Sequence, residues 1–249
     1  MRISLMFAAV LAGCTLLPRS ADAQWPPARV QNVKVLPADI TIRALVDTMA
    51  GFTRALGVRC TYCHVGAESD PLDKYDFVSD SLPAKVNARE MMRMVQVINQ
   101  DHLGKLAARR EPRITVTCAT CHRGVREPRP LQQILLAAYD AAGVDSTVAA
   151  YQALRQRYYG AAAYDFGEVA LADVGNAMVR RGRPADGLRI HLLNVASVPL
   201  STFALRQTAQ VQLTMGDTAA AIVSYERALA VNVNDAQSKS ALEALKRKP

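Results

Sequence analysis

The pentapeptide CxxCH occurs twice, as Cys60-Thr61-Tyr62-Cys63-His64 and as Cys118-Ala119-Thr120-Cys121-His122. It is the attachment signature of c-type haem. Its two thiols can add to the two vinyl groups of one porphyrin, and the His that follows then lies under the iron as proximal ligand. The pattern predicts two covalently bound haem c groups held by Cys60, Cys63, Cys118 and Cys121, with His64 and His122 on the irons. Cysteine usage agrees. Of five Cys, only Cys14 lies outside the two motifs, so none is left for a disulfide framework.

Two other chemistries use CxxC. A zinc site needs four thiolates, or three and a His, usually within a short loop. The stretch between Cys63 and Cys118 is far longer than such a loop. Thiol exchange normally places one CxxC at a helix N-terminus after a strand, and no βαβ pattern is visible. Haem is the stronger reading.

The chain divides into three segments. Residues 1–23 read as an export signal: Arg2 is the basic start, Ile3 to Leu17 is nearly all apolar, and Ala21-Asp22-Ala23 is a small-x-small cleavage site. Leu11-Ala12-Gly13-Cys14 also fits a lipobox, which would make Cys14 a lipidated N-terminus. Either way the expected location is periplasmic or outer cell surface, soluble or lipid-anchored, with membrane association only if Cys14 is lipidated. Residues 24–133 hold both CxxCH motifs. Residues 134–249 are Ala-rich and helical, and the prolines of Glu127-Pro128-Arg129-Pro130 mark the boundary.

In the middle segment the apolar residues fall at helical spacing twice. A helix is predicted over 39–56, with Ile42, Leu45, Val46, Met49, Phe52 and Leu56 on one face and Gly57 ending it. A second is predicted over 84–103, with Met91, Met94, Val95, Ile98 and His102 on one face. A Met thioether is a soft donor that suits ferrous iron. Met49 and either Met91 or Met94 are therefore candidate distal ligands, as is His102. The plain alternative is core packing for the Met residues and a surface role for His102.

The third segment repeats itself. Gly182 recurs as Gly216, Leu188 as Ile222, and His191 occupies the place of Tyr225, all at one offset. That offset is the length of the tetratricopeptide repeat, which this segment resembles. Gly187 stands where that pattern prefers Ala. His191 reads as a packing residue, 131–166 as a further helical unit and 235–247 as a capping helix.

Around the motifs the chain resembles the cytochrome c subunit of photosynthetic reaction centres, in its N-terminal two-haem half. The likeness lies in Asn32-Val33-Lys34-Val35-Leu36, Asp47-Thr48-Met49, the first CxxCH, Ala88-Arg89-Glu90-Met91 to Ile98-Asn99, and Val116-Thr117 through the second CxxCH to Arg123-Gly124. The resemblance implies a mostly helical dihaem c-type cytochrome domain; taken with the repeats, the expected fold is mainly α, that domain followed by a tetratricopeptide-like helical repeat domain. The resemblance also implies Met49 and Met91 as distal iron ligands. With two motifs rather than four, it does not by itself imply a photosynthetic role.

The expected function is an exported dihaem cytochrome that relays single electrons and is not an enzyme. One alternative is a peroxidase-like enzyme with one open haem. Another is a repeat scaffold with accessory haems. Net charge is +8, which suits an acidic or membrane-bound redox partner, or simply a solvated basic surface. No long Lys/Arg run or basic-aromatic stripe points to nucleic acid. The repeat domain is expected to dock a protein.

Overall fold

A computed structural model describes residues 27, 29–108 and 111–247. The expected export signal, with Cys14, lies outside the described residues. Among those described, helices and short helical turns are the regular elements. The nearest approach to a sheet is one antiparallel bridge between Val65 and Asp76. The mainly α expectation is met.

The chain packs as two compact units. One holds the described residues up to Met49 together with Arg59–Met94; the other holds Ala50–Val58 together with Val95 onward. The helix α1 (Ile42–Leu56) passes from one to the other. Thr41 opens it by accepting the Ala44 amide on its hydroxyl at 3.2 Å. Gly57, at φ +64, closes it, and the Val58 amide returns to the Thr53 carbonyl at 3.1 Å. That is the Schellman ending expected of a helix followed by Gly.

In the first unit, α2 (Pro83–Val97) begins on a proline, whose missing amide costs nothing at that position. Asp80 lies just ahead of it and gathers three cations: Lys34 at 2.7 Å, Arg89 at 2.9 Å and Lys85 at 3.2 Å. Asn32 donates to the same carboxylate at 2.8 Å, and Arg89 also donates to the Asn32 carbonyl at 3.1 Å. Lys85 further caps the carbonyls of Phe77, Val78 and Ser79. Two of the stretches that carry the resemblance, around Asn32 and around Arg89, therefore meet at one carboxylate.

In the second unit the helix begun at Pro83 widens into a π turn at Ile98–His102 and tightens into a 3₁₀ turn at Leu103–Lys105. The predicted helix to residue 103 is thus a regular helix to Val97 followed by irregular turns. Then come the one-turn helix α3 (Cys118–His122) and α4 (Leu131–Tyr158), which is broken at Ala142 and Gly143. Across that break the Thr147 hydroxyl donates to the Gly143 carbonyl at 3.2 Å.

Helices α5 (Glu168–Arg180), α6 (Pro184–Ser197), α7 (Thr202–Thr214) and α8 (Thr218–Val231) form two hairpins, and α9 (Ala236–Lys246) follows. Every start and end of the second hairpin is displaced from its counterpart in the first by the same offset that separates Gly182 from Gly216. The two turns place these glycines at φ +76 and +82. The α4 pair is outside this register, since the interval from Gly143 to Gly182 is longer.

The reason for Gly187 lies in this packing. A Cβ there would stand 2.7 Å from Val179 Cγ2 and 2.8 Å from the Gly175 carbonyl oxygen. A Cβ on Gly175 would stand 2.7 Å from His191 Nε2. The first hairpin thus combines two glycines with a buried His. The second places Ala209, Ala221 and Tyr225 at the same positions, all buried.

Burial divides unevenly along the chain. Leu135, Leu171, Val174, Met178, Ile190 and Leu205 are at most 1% exposed, each contributing about 1.5–3 kcal/mol on leaving water. Between residues 29 and 125, by contrast, the buried hydrophobic residues are Ala55 and Val125 among the described residues. Val46, Tyr62, Val65, Val86, Met91 and Met94 there are all exposed by 38% or more.

Candidate haem-binding sites

The first motif begins in a 3₁₀ turn, Cys60–Tyr62. The amides of Cys63 and His64 both donate to the Cys60 carbonyl, at 3.1 and 2.9 Å. This turn sets the two thiols and the imidazole on one short stretch of backbone. The His64 ring meets the edge of Phe77 at 4.9 Å between centroids. Its Nδ1 is buried and has no hydrogen-bond partner among the described residues. Burial, helped by nearby Lys85, pushes the imidazole pKa down to about 4, so His64 is neutral at pH 7. A neutral imidazole is the form that binds a metal.

The second motif forms α3. Thr117 precedes it, and its amide donates to the Thr120 hydroxyl at 3.0 Å. Arg123 then takes the left-handed conformation at φ +49, and Gly124 follows at φ +87. Those two residues curl the chain back on the histidine. The Val125 amide donates to the His122 carbonyl at 2.9 Å, and His122 Nδ1 lies 3.0 Å from the Val125 carbonyl oxygen. A ring nitrogen facing a carbonyl must carry its proton there. Nδ1 is then the donor, and the contact fixes the ring orientation. Metal-ligating histidines are held in this way.

Asn99 supports the same site from the π turn. Its Nδ2 donates to the Val116 carbonyl and its Oδ1 accepts the Val116 amide, both at 2.8 Å. Sequence reasoning counted Asn99 in the resemblance but gave it no role. Asp80 was not singled out at all. Its partners Asn32 and Lys34 stand far from it in the chain, beyond the reach of periodicity.

All four motif cysteines are free thiols. Burial pushes the Cys63 thiol pKa up, the neighbouring Cys60 adds to it, and burial also raises Cys118. Reactive exchange cysteines have depressed values instead. No cluster of three His, Cys, Asp or Glu able to hold a metal ion exists among the described residues. Neither observation favours a zinc site or a thiol-exchange site.

The candidate distal ligands sit on helices. Met49 is half-buried on α1. Met91 and Met94 are 44% and 46% exposed on α2, one turn apart. His102 is exposed on the π turn. His191 is fully buried in the repeat, with both ring nitrogens unpartnered among the described residues, as expected of a packing residue rather than a ligand.

The residues present fit haem c on two counts. The His122 ring is pre-oriented by the Val125 carbonyl. The segment that carries both motifs exposes apolar side chains that its own fold does not cover. Such a segment needs a large apolar body to complete its core.

Several known proteins are similar. The photosynthetic reaction center cytochrome c subunit of Thermochromatium tepidum is 32% identical over 114 residues, covering 44% of this chain and 25% of that protein. The subunit of the same description from Roseobacter denitrificans is 38% identical over 100 residues, 39% of this chain and 25% of that one. Cytochrome c-554 of Chloroflexus aurantiacus is 38% identical over 91 residues, 36% of this chain and 20% of that protein. The matched part thus spans a quarter or less of these curated relatives. Among solved structures, the first TPR of Spaghetti (RPAP3) bound to an HSP90 peptide covers 47% of this chain and 87% of its own, at 17% identity and a TM-score of 0.32. That likeness is too slight to bear on the fold, and the repeat description rests on the constant offset between the two hairpins. A family model described as photosynthetic reaction centre cytochrome C subunit matches residues 15–163, more than half the chain. On that match, the chain belongs to the photosynthetic reaction centre cytochrome c subunit family, a family of c-type cytochromes.

Proposed function

We propose that this protein is an exported dihaem c-type cytochrome that relays single electrons between redox partners. The observation that carries the reading is the His122–Val125 pair, which holds one imidazole in a fixed orientation beside two thiols. Cys60 and Cys63 would hold one haem through thioether bonds, and Cys118 and Cys121 the other. His64 and Met49 would ligate the iron of the first haem, His122 and Met91 that of the second. Bound haem supplies an iron that alternates between ferric and ferrous states.

The chain's own residues do the rest. Cys60, Cys63, Cys118 and Cys121 would anchor the haems, the Val125 carbonyl holds the His122 ring, and the apolar side chains of α1 and α2 would keep water from the irons. A Met at each distal position favours the ferrous state. With a His and a Met on each iron, the protein would act as a carrier rather than an enzyme. The haem-carrying segment is taken as 24–133 and the repeat region as 134–249, the latter a platform for a partner protein. Residues 1–23 support export. Two of the relatives are named as photosynthetic reaction center subunits, but this reading does not depend on a photochemical partner.

The test is visible and near-infrared spectroscopy of the haem-loaded protein. Low-spin His/Met signatures at both haems are expected. A high-spin signal at either one, with peroxide turnover, would overturn the carrier reading.

A further inference from the structure

The two CxxCH stretches differ in charge. Residues 59–87 hold three Lys/Arg and five Asp/Glu, a net −2, whereas the equally long stretch 101–129 holds seven and three, a net +4. Propionates would add similar negative charge at each haem, leaving the difference intact. In the first stretch Lys85 is turned inward onto Asp80, with its side chain 12% exposed. In the second, Lys105, Arg113, Arg123, Arg126 and Arg129 are all exposed, while Arg109 and Arg110 lie outside the described residues.

Arg113, Arg123, Arg126 and Arg129 all lie within seven residues of the second motif along the chain. The Asn99–Val116 pairing closes the loop that carries Lys105 and Arg113 at the start of α3. Arg123 caps the other end, only about 8 Å away along a helix of little more than one turn. The same loop shows Leu106 and Ile114, 56% and 75% exposed, and Cys121 itself is exposed. A little apolar surface among charges suits a transient protein encounter steered by electrostatics. Anionic lipid is a poorer fit, because the cations stand on a loop and a turn rather than along one face of an amphipathic helix.

Building on the dihaem reading, we propose that this basic face is the docking surface for an acidic one-electron carrier protein, so that electrons cross at the second CxxCH rather than the first. Each encounter moves one electron: the carrier is oxidised, a ferric haem becomes ferrous, and no proton is transferred.

The probe is an acidic ferredoxin. Its oxidised form would be titrated into the full haem-loaded protein at low and high salt. Its reduced form would then be mixed with the protein in stopped flow. At low salt the triple variant Lys105→Glu/Arg113→Glu/Arg123→Glu should bind at least tenfold more weakly and be reduced at least tenfold more slowly, with most of the salt dependence lost. Lys74→Glu, in the first stretch, should change either value less than twofold. Far-UV circular dichroism and the haem bands would show that the variants are folded. Equal binding and rates for wild type and triple variant, with haem present and reducible by dithionite, would overturn this proposal while leaving the cytochrome reading standing. So would a triple variant that loses binding to phosphatidylserine vesicles but not to ferredoxin. Protein that takes up no haem would overturn both.

Discussion

Gly57 and Gly124 touch, joining the end of α1 to the turn behind the second CxxCH. A Cβ built on Gly57 would lie 2.1 Å from the Gly124 carbonyl oxygen. The Gly124 amide donates to the Ala55 carbonyl at 2.8 Å. Gly57 is therefore bound twice over, by its positive φ and by backbone that cannot give way. Gly57→Ala is expected to destabilise the protein by about 3 kcal/mol or more. Gly124→Ala meets nothing within 4 Å, so it should cost only the left-handed conformation, about 1–2 kcal/mol. Urea unfolding of the two variants checks the order; equal losses would contradict it.

Asn99 acts as a one-residue strand for Val116. Asn99→Ala removes both bonds and strands a partly buried amide and carbonyl, so a loss of about 2 kcal/mol is expected. The same variant should show lower haem occupancy at Cys118 and Cys121 than at Cys60 and Cys63. Peptide mapping of the covalent adducts measures this, and equal occupancy would count against the role.

Met91 and Met94 present similar exposure and share a face, so geometry alone does not rank them. Family resemblance favours Met91. Met91→Ala should turn one of the two haems high-spin, and Met94→Ala should leave both low-spin. Electron paramagnetic resonance of the oxidised variants decides, and the reverse pattern would move the ligand to Met94.

His191 makes the repeat sensitive to acid. Burial holds its pKa down to about 4, against 6.5 ordinarily. Between these values the unfolded chain carries a proton that the folded chain lacks. The stability this site contributes is therefore complete above about pH 6.5 and is lost as pH falls toward 4, by up to about 3 kcal/mol. His191→Leu should flatten that part of the profile. Unfolding midpoints at pH 7 and pH 4.5 for both proteins provide the comparison, and parallel profiles would refute it.

Much of this architecture is legible in the sequence because it rests on local chemistry. Gly182 recurs as Gly216 because each turn needs a positive φ, and all four helices of the two hairpins keep that offset. Gly57 was readable as a helix end for the same reason. The Asp80 cluster was not readable, since Lys34 and Asn32 reach it across 46 and 48 residues. Nor was the π turn at Ile98–His102, where the apolar period continues although the hydrogen-bond pattern has changed. The α4 break was also hidden: Ala142-Gly143 reads as helix interior, and only packing shows the hinge. At the two CxxCH motifs, spacing names the candidate thiols and imidazoles. The Val125 carbonyl that orients His122 is backbone, and no residue type announces it.

The central claim is that both CxxCH motifs carry covalent haem. Intact mass of protein matured in a host with c-type haem assembly, combined with haem-to-protein ratio, tests it most directly. The account predicts two haem additions per chain, both removed from the mass only when Cys60, Cys63, Cys118 and Cys121 are all replaced. A mass without additions and four titratable thiols would contradict it.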